Sequence, residues 1–247
     1  MIGIQGETVD VQNLLSQVTG KLIVSCQALP NTPLDNPQII AAIAQSVEHG
    51  GAAGLRAEGA QNIAAMRKVT SLPIIGLSKT LNRAETYITP RFEHAEEVAL
   101  AGADIIAVQA TNPRIGNCTD LKTLIWRIHT ELGLGVIADV SNLAEAEEAV
   151  KAGADLVATT LSGYTPHTLH REKPDLELVH QIARRGIPVI AEGRYSTPEQ
   201  VVRALDSGAL AVVVGTMITM PDRITRYFVE SIDEKHRLNS GRSDFGE

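Results

Sequence analysis

The sequence has few aromatic residues, few cysteines and no long apolar segment, and each shortage excludes a class of protein. Phenylalanine, tryptophan and tyrosine make up 3% of the 247 residues, so aliphatic side chains have to build the core. The two cysteines, Cys26 and Cys118, form no CxxC pair, which argues against a disulfide scaffold and favours a reducing, cytoplasmic location. No apolar segment is long enough to cross a membrane, and no basic segment leads into an apolar one at the N-terminus. We therefore expect neither a membrane span nor a signal peptide.

Charge of one sign is not concentrated anywhere in the chain. The net charge is −7, and acidic and basic residues are mixed along the sequence without a basic block. Nucleic acid is therefore not expected as a partner.

A Gly-Ala step followed by an apolar run occurs four times, at residues 51–52, 102–103, 153–154 and 208–209. Each step follows a helix-like segment and precedes a strand-like one, and four further apolar runs lie between the steps. The chain thus has eight strand candidates, each followed by a helix candidate. Eight alternating units in 247 residues predict an α/β protein of one domain, a (β/α)8 TIM barrel.

The boundaries of the elements follow from apolar runs and capping residues. The predicted strands span residues 21–25, 53–56, 73–77, 104–108, 135–139, 155–159, 188–192 and 211–215. The predicted helices span 36–50, 61–69, 92–100, 120–132, 175–185 and 222–232, with two more beginning at Asn142 and Thr197. We expect residues 1–20 to cover the barrel floor, 21–232 to form the barrel, and 233–247 to be a polar, frayed tail.

Long loops and polar side chains follow the predicted strands, on the face where such barrels hold their active sites. The long loops are residues 28–35, 79–90, 109–119 and 161–174. The polar residues are Gln27, Arg56, Lys79, Gln109, Asp139, Thr160, Glu192 with Arg194, and Thr216. A single one of these is commonly solvated or ion-paired, but so many in register indicate a site.

Acid–base chemistry is the first interpretation of this set. Lys79 follows an apolar run, and partial desolvation would lower its pKa and free an amine to act as a base. Glu192 is the partner acid, and Asp139 has the same character. The alternative is structural: a rim lysine paired with an acid, and a Glu192 paired with Arg194 or Lys79.

Phosphate binding is indicated by Gly193 after the seventh strand and by Gly215-Thr216 after the eighth. Other candidates are weaker: Cys26 is expected to be a core thiol, His167 and His170 solvated loop residues, and Trp126 a packing residue. Because the set at the strand ends consists of amides, cations and carboxylates, we expect no metal.

Four segments resemble the N-acetylmannosamine-6-phosphate 2-epimerase family: VSCQ at 24–27, IIG at 74–76 with Lys79, TTLSGYT at 159–165 and VIAEGR at 189–194. The similarity extends over residues 21–232. The resemblance implies an isomerase that interconverts N-acetylmannosamine 6-phosphate and N-acetylglucosamine 6-phosphate in sialic acid and amino-sugar catabolism. It also implies a reaction that needs no cofactor, with neither metal nor nucleotide taking part.

The resemblance implies a role for each site residue. Lys79 and Glu192 would transfer protons at C2 of the sugar. The substrate-binding residues would be Gln27, Arg56, Asp139, Thr160, Tyr164 and Arg194, and the phosphate-binding residues Gly193, Gly215 and Thr216. The chain departs from the family pattern at Thr80 and Met220, where the family usually has arginine, and at Gln109, where it commonly has aspartate. Arg83 or Arg223 would then supply the missing positive charge.

Two alternative functions stay open at this point. In the first, Lys79 attacks a sugar carbonyl, as in a Schiff-base lyase. The departures at Thr80 and Met220 favour a phosphosugar-binding barrel without activity. A homodimer formed through outer helices is expected from the way such barrels associate.

Overall fold

The predicted alternation of strands and helices closes into one barrel. A computed structural model describes residues 11–81, 86–113 and 118–240. The strands are β1 (Leu22–Cys26), β2 (Gly54–Glu58), β3 (Ile74–Leu77), β4 (Lys79–Leu81), β5 (Thr86–Ile88), β6 (Ile105–Gln109), β7 (Gly135–Asp139), β8 (Leu156–Ala158), β9 (Val189–Glu192) and β10 (Ala211–Val214). Eight of them form a closed parallel barrel in the order β1-β2-β3-β6-β7-β8-β9-β10, which confirms the predicted fold.

Helices follow the barrel strands as predicted. They are α1 (Val11–Val18), α2 (Pro37–His49), α3 (Ala60–Arg67), α4 (Phe92–Leu100), α5 (Leu121–Arg127), α6 (Leu143–Ala152), α7 (Leu176–Arg184), α8 (Pro198–Asp206), α9 (Thr216–Thr219) and α10 (Pro221–Ser240). A π-helical segment, Ile128–Leu132, continues α5. No described helix is long and apolar enough to cross a membrane.

The four Gly-Ala steps end four helices in the same way. Gly51, Gly102, Gly153 and Gly208 have φ angles of 94°, 105°, 109° and 101°, which side chains with a Cβ rarely adopt. After each glycine, the alanine N–H bonds the carbonyl five residues back, as Ala52 N does with Val47 O at 3.0 Å. This is the Schellman arrangement, which satisfies the last carbonyls of a helix and turns the chain toward the next strand.

The capping residues of three helices lie where the sequence predicts them. Asn36, Asn142 and Thr197 each accept hydrogen bonds from the first turn of α2, α6 and α8. In a capping box, the side chain three residues into the helix also bonds the backbone N–H of the N-cap residue, and this second bond is different here. The Glu145 carboxylate accepts from Ser141 N at 2.7 Å, one residue before the N-cap.

Alternation along the strands separates an inner from an outer core. Ile23, Ile75, Ile137 and Ile190 belong to an interior cluster, and their sequence neighbours pack outward against the helices. From α1, Leu14, Leu15 and Val18 join the interior cluster at the amino ends of the strands. The three-part division of the chain stays a prediction, because residues 1–10 and 241–247 lie outside the described ranges.

The structure corrects the prediction that residues 79–90 form a loop. It contains an antiparallel hairpin in which Lys79 pairs with Ile88 across β4 and β5. The hairpin forms a sheet of its own beside the barrel. Strands of three residues are too short to show an alternating pattern, so the sequence favoured a loop.

The last helix also differs from its prediction. It runs to Ser240 and not to residue 232, so residues 233–240 are helical and not frayed. Among the α10 side chains that the structure describes, Ile224 is half-buried and the others are exposed. The exposed set includes Tyr227, Phe228 and Ile232.

Candidate active site

A cavity of about 990 Å³ opens at the carboxyl ends of the barrel strands. It is lined by ten of the predicted site residues: Gln27, Arg56, Lys79, Thr160, Tyr164, Glu192, Gly193, Arg194, Gly215 and Thr216. The period of a strand explains the position of Glu192, because it follows interior Ile190 by two residues on β9. Lys79 follows interior Leu77 but belongs to β4, which pairs outside the barrel. The predicted gathering of polar residues at one face is therefore observed.

Arg56 holds two carboxyl groups together at the base of the cavity. Its guanidinium donates to Asp139 through Nη1 at 3.1 Å and Nη2 at 2.6 Å. Nη1 also lies 3.1 Å from Oε2 of Glu192. The side chains of Arg56 and Asp139 are 2% and 0% exposed, so water does not screen this pair.

Asp139 was predicted to bind substrate, but it lies beneath the cavity and does not line it. Arg56 covers its carboxylate, and the Thr160 hydroxyl lies 2.7 Å from Oδ1. The sequence places Asp139 at a strand end but cannot show that an arginine from β2 lies above it.

Glu192 is held by two consecutive threonines that follow β8. The Thr159 hydroxyl accepts from the backbone N–H of Glu192 at 3.0 Å and donates to its carbonyl at 2.9 Å. The Thr160 hydroxyl faces the carboxyl group itself, 3.1 Å from Oε2. Backbone and side chain of Glu192 are thus fixed separately.

Lys79 enters the cavity from the hairpin. Its Nζ donates to Oε1 of Gln27, whose amide nitrogen donates to the Ser25 hydroxyl at 2.9 Å. The hairpin is tied to the barrel by Gln109, since its Oε1 accepts from Ile88 N at 3.2 Å. Ile88 is the residue opposite Lys79, so Gln109 fixes the register that places the lysine.

The surroundings favour the neutral forms of both Lys79 and Glu192. Solvent in the cavity reaches Lys79, but the cavity walls desolvate it, and burial followed by the positive charge of Arg56 lowers its pKa. Burial, followed by the negative charge of Asp139, raises the pKa of Glu192 although Arg56 opposes the change. A lysine with a lowered pKa and a glutamate with a raised one can serve as base and acid.

Arg194 forms a positively charged wall of the cavity. Its guanidinium lies 4.4 Å from the centre of the Tyr164 ring, and Nη2 donates to Gly163 O at 2.7 Å. Gly163 has to be glycine here, because a Cβ would lie 2.7 Å from Nε of Arg194 and 2.6 Å from Arg171 O. The backbone φ of Arg194 is 62°, a left-handed value that few arginines adopt.

Residues 215–223 form the wall after β10. Gly215 and Thr216 begin the one-turn helix α9, and Thr219 bonds Ser25 O at 2.9 Å. Met220 and Arg223 also line the cavity. Arg223 is therefore placed to supply the positive charge expected after the eighth strand, while Arg83 lies outside the described residues.

Sequence reasoning missed several lining residues, among them Ser25, Thr111, Asn112 and Tyr195. Ser25 shares its strand face with Gln27 two residues later, a period-2 signal that could have identified it. Asn112 depends on a distant contact, since its N–H donates to the Glu145 carboxylate at 3.1 Å.

The weaker candidates also have clear positions. Burial raises the pKa of Cys26 to about 12, which agrees with a core thiol. His167 lines the cavity, and within the described ranges no group of three His, Cys, Asp or Glu side chains is arranged to hold a metal. The packing role expected for Trp126 is wrong, because its side chain is 61% exposed.

The fold and the cavity define a (β/α)8 barrel with acid–base groups at the carboxyl ends of its strands. The family described as "Putative N-acetylmannosamine-6-phosphate epimerase" matches residues 40–234. A protein of Caldanaerobacter subterraneus subsp. tengcongensis, named "Putative N-acetylmannosamine-6-phosphate 2-epimerase", is 44% identical over 230 residues, 92% of this chain and 97% of the relative. A Clostridioides difficile protein of the same name is 44% identical over 222 residues, 89% of this chain and 99% of the relative.

A solved structure gives the same result. The N-acetylmannosamine-6-phosphate 2-epimerase from Clostridium perfringens is 42% identical and superimposes with a TM-score of 0.84, covering 88% of this chain and 95% of that one. The chain belongs to the N-acetylmannosamine-6-phosphate 2-epimerase family, as its sequence motifs predicted.

Proposed function

We propose that this protein is an isomerase that interconverts N-acetylmannosamine 6-phosphate and N-acetylglucosamine 6-phosphate, a step of sialic acid and amino-sugar catabolism. One observation carries the proposal: in a chain of this family, Lys79 and Glu192 line the same cavity and both are biased toward their neutral forms. A neutral amine accepts a proton and a neutral carboxyl group donates one. Exchange of a proton at C2 needs this pair.

The proposed reaction proceeds on the open-chain sugar. Lys79 removes the C2 proton, and negative charge develops on the aldehyde oxygen. Arg56 has a buried Nε–H without a hydrogen-bond partner among the described residues, a donor suited to that oxygen. Glu192 then delivers its proton to C2 from the other face, and the reverse reaction exchanges the two roles. Both proton-transfer groups come from the chain, so the proposal uses no metal and no nucleotide.

Asp139 acts through Arg56 in this proposal and does not contact the sugar. It is fully buried below the guanidinium and fixes it with two hydrogen bonds. Gln27, Thr160, Tyr164 and Arg194 line the cavity and are the proposed sugar contacts.

The phosphate is proposed to lie against Gly193, Gly215 and Thr216. All three line the cavity after β9 and β10, where barrels of this class bind phosphate. Arg194 and Arg223 line the same part of the cavity and add positive charge.

Replacing Lys79 with alanine tests the proposal. We expect turnover to fall by about 10²–10⁴-fold with the fold retained, because general acid–base catalysis contributes that much. Lys122→Ala, at an exposed lysine of α5, is the matched control. Turnover of the wild type in D₂O should place deuterium on C2 of the product, measured by NMR. Active enzyme without deuterium at C2 would contradict a proton-transfer mechanism.

A Schiff-base lyase remains the alternative, because the lowered pKa of Lys79 also favours a nucleophilic amine. Borohydride added with the sugar phosphate would reduce an imine to a stable adduct, visible by mass spectrometry. An adduct on Lys79 supports the lyase, and unmodified protein with deuterium exchange supports the epimerase. Tight binding without turnover would support a binding protein.

We also propose a homodimer in the cytoplasm. The dimer is supported by the exposed apolar side chains of α10, including Tyr227, Phe228 and Ile232, which a partner would cover. Analytical ultracentrifugation at micromolar concentration measures the mass, and a monomer mass would contradict this part of the proposal.

A further inference from the structure

The hydroxyl of Thr160 lies between two carboxyl groups and carries a single hydrogen. Its Oγ1 is 2.7 Å from Oδ1 of Asp139 and 3.1 Å from Oε2 of Glu192. A threonine hydroxyl donates one hydrogen bond and accepts others. It can therefore donate to one of the two carboxyl groups, and the second contact is favourable when that group brings a hydrogen of its own.

The geometry assigns the Thr160 hydrogen to Asp139. Asp139 receives two hydrogen bonds from the Arg56 guanidinium, at 3.1 and 2.6 Å, an arrangement that requires an ionised carboxylate. The Thr160 contact with Asp139 is also the shorter of the two, as expected for a hydroxyl that donates to an anion. Glu192 consequently faces a lone pair of the Thr160 oxygen.

The surrounding charges agree with a proton on Glu192. Three charged groups face it: Arg56 from β2, Asp139 from β7 and Lys79 from β4. Arg56 brings one positive charge to two carboxyl groups: its Nη1 lies 3.1 Å from Oε2 of Glu192, but two of its N–H groups bond Asp139. Burial and the charge of Asp139 outweigh the stabilising charges of Arg56 and Lys79, so the pKa of Glu192 is raised. A proton on Glu192 removes the excess negative charge.

We propose that Thr160 donates its hydrogen to Asp139, accepts a hydrogen bond from protonated Glu192, and so keeps Glu192 in its acid form. Thr160 is then a positioning residue that acts on the reaction through Glu192. Its neighbour Thr159 has a separate task, because the Thr159 hydroxyl bonds the backbone of Glu192 and not its carboxyl group. The catalytic consequence rests on the proposed epimerase function, whereas the hydrogen-bond order does not.

The test is a titration of the Glu192 carboxyl group by ¹³C NMR in protein labelled at the glutamate carboxyl carbon. The Glu192→Gln variant assigns the signal. Thr160→Val removes the hydroxyl at nearly constant volume, and Thr160→Ser retains it. Thr111→Val makes the same chemical change at a cavity residue whose hydroxyl bonds Gln109 and not Glu192. Thermal unfolding checks that each variant is folded.

We expect the pKa of Glu192 to fall by about one pH unit in Thr160→Val, because the acid form loses a hydrogen-bond acceptor. It should return to the wild-type value in Thr160→Ser and stay unchanged in Thr111→Val. A rise in Thr160→Val would show that Thr160 donates to the Glu192 carboxylate, and the proposal would be overturned. An unchanged value, or a serine variant that behaves like valine, would overturn it as well.

The titration needs no substrate, so it can be interpreted whether or not the protein is an epimerase. In an active epimerase, the limb of the kcat/KM profile that follows Glu192 should move to lower pH in Thr160→Val by the same amount as the pKa. Wild-type protein that exchanges no deuterium at C2 would contradict the proposed function and leave the Thr160 result intact.

Discussion

Replacing Asp139 with asparagine tests how strongly the buried pair with Arg56 stabilises the barrel. The pair has two hydrogen bonds of 3.1 and 2.6 Å and almost no solvent exposure. Removal of one partner from such a pair typically costs about 3–5 kcal/mol, because a buried charge loses its compensation. Asparagine retains an acceptor oxygen, and Glu192 still lies 3.1 Å from Arg56, so we expect about 3 kcal/mol.

Urea-induced unfolding followed by circular dichroism measures the change in free energy. In thermal unfolding the same loss should lower Tm by about 6–12 °C for a chain of this size. Asp104→Asn is the matched control, since Asp104 pairs with Arg67 at 2.5 Å but the two side chains are 35% and 29% exposed. The control should lose less, about 1 kcal/mol, because solvent reaches these half-buried side chains and screens the pair.

The difference in destabilisation between Asp139→Asn and Asp104→Asn shows whether burial strengthens the pair of Asp139 with Arg56. If Asp139→Asn destabilised the protein no more than Asp104→Asn does, burial would add nothing to the pair. The argument that Asp139 holds Arg56 as an ionised partner would then be refuted.

Four further outcomes are expected. The kcat/KM profile should be bell-shaped, because the reaction needs Lys79 without its proton and Glu192 with its own. The pKa of Lys79 should lie below the usual range of lysine, and the pKa of Glu192 above that of glutamate. A flat profile would contradict these roles. EDTA should leave activity unchanged, and a loss restored by a divalent cation would disprove metal independence. Met220→Arg should lower KM about tenfold by adding a charge-assisted contact of about 1.5 kcal/mol with the phosphate. An unchanged KM would show that another cation such as Arg223 already binds the phosphate or that the phosphate lies elsewhere. Gly163→Ala should raise KM, because the new Cβ would lie 2.7 Å from Nε of Arg194 and displace that side chain; wild-type KM would show that Arg194 does not contact substrate.

The barrel could be predicted because its signals are local and repeated. The Gly-Ala steps use a left-handed glycine and a hydrogen bond five residues back, so each one marks a helix end without knowledge of the rest of the chain. The hairpin of β4 and β5 gave no such signal, since each strand has three residues and pairs only with the other. The extension of α10 past residue 232 was missed because polarity was interpreted as fraying, although residues such as Glu234 and Lys235 are good helix formers.

The sequence predicted which residues line the cavity better than it predicted the contacts among them. Position after an apolar run was sufficient to predict that Lys79 and Glu192 lie at one cavity. The burial of Asp139 depends on Arg56, which is 83 residues away in the sequence. The orientation of Thr160 depends on two carboxyl groups from different strands. Such contacts form only when the barrel closes, so the sequence of a single strand or loop does not predict them.

The hairpin places Lys79 outside the barrel sheet, whereas Glu192 and Arg56 lie on barrel strands. Its two strands pair with each other, and the eight barrel strands close without them. Apart from Tyr87 and Ile88, which are buried, residues 79–88 can therefore be varied or exchanged between relatives without changing the pairing of the barrel strands. A library confined to this segment, with Lys79 retained, offers a direct route to enzymes that accept other sugar phosphates.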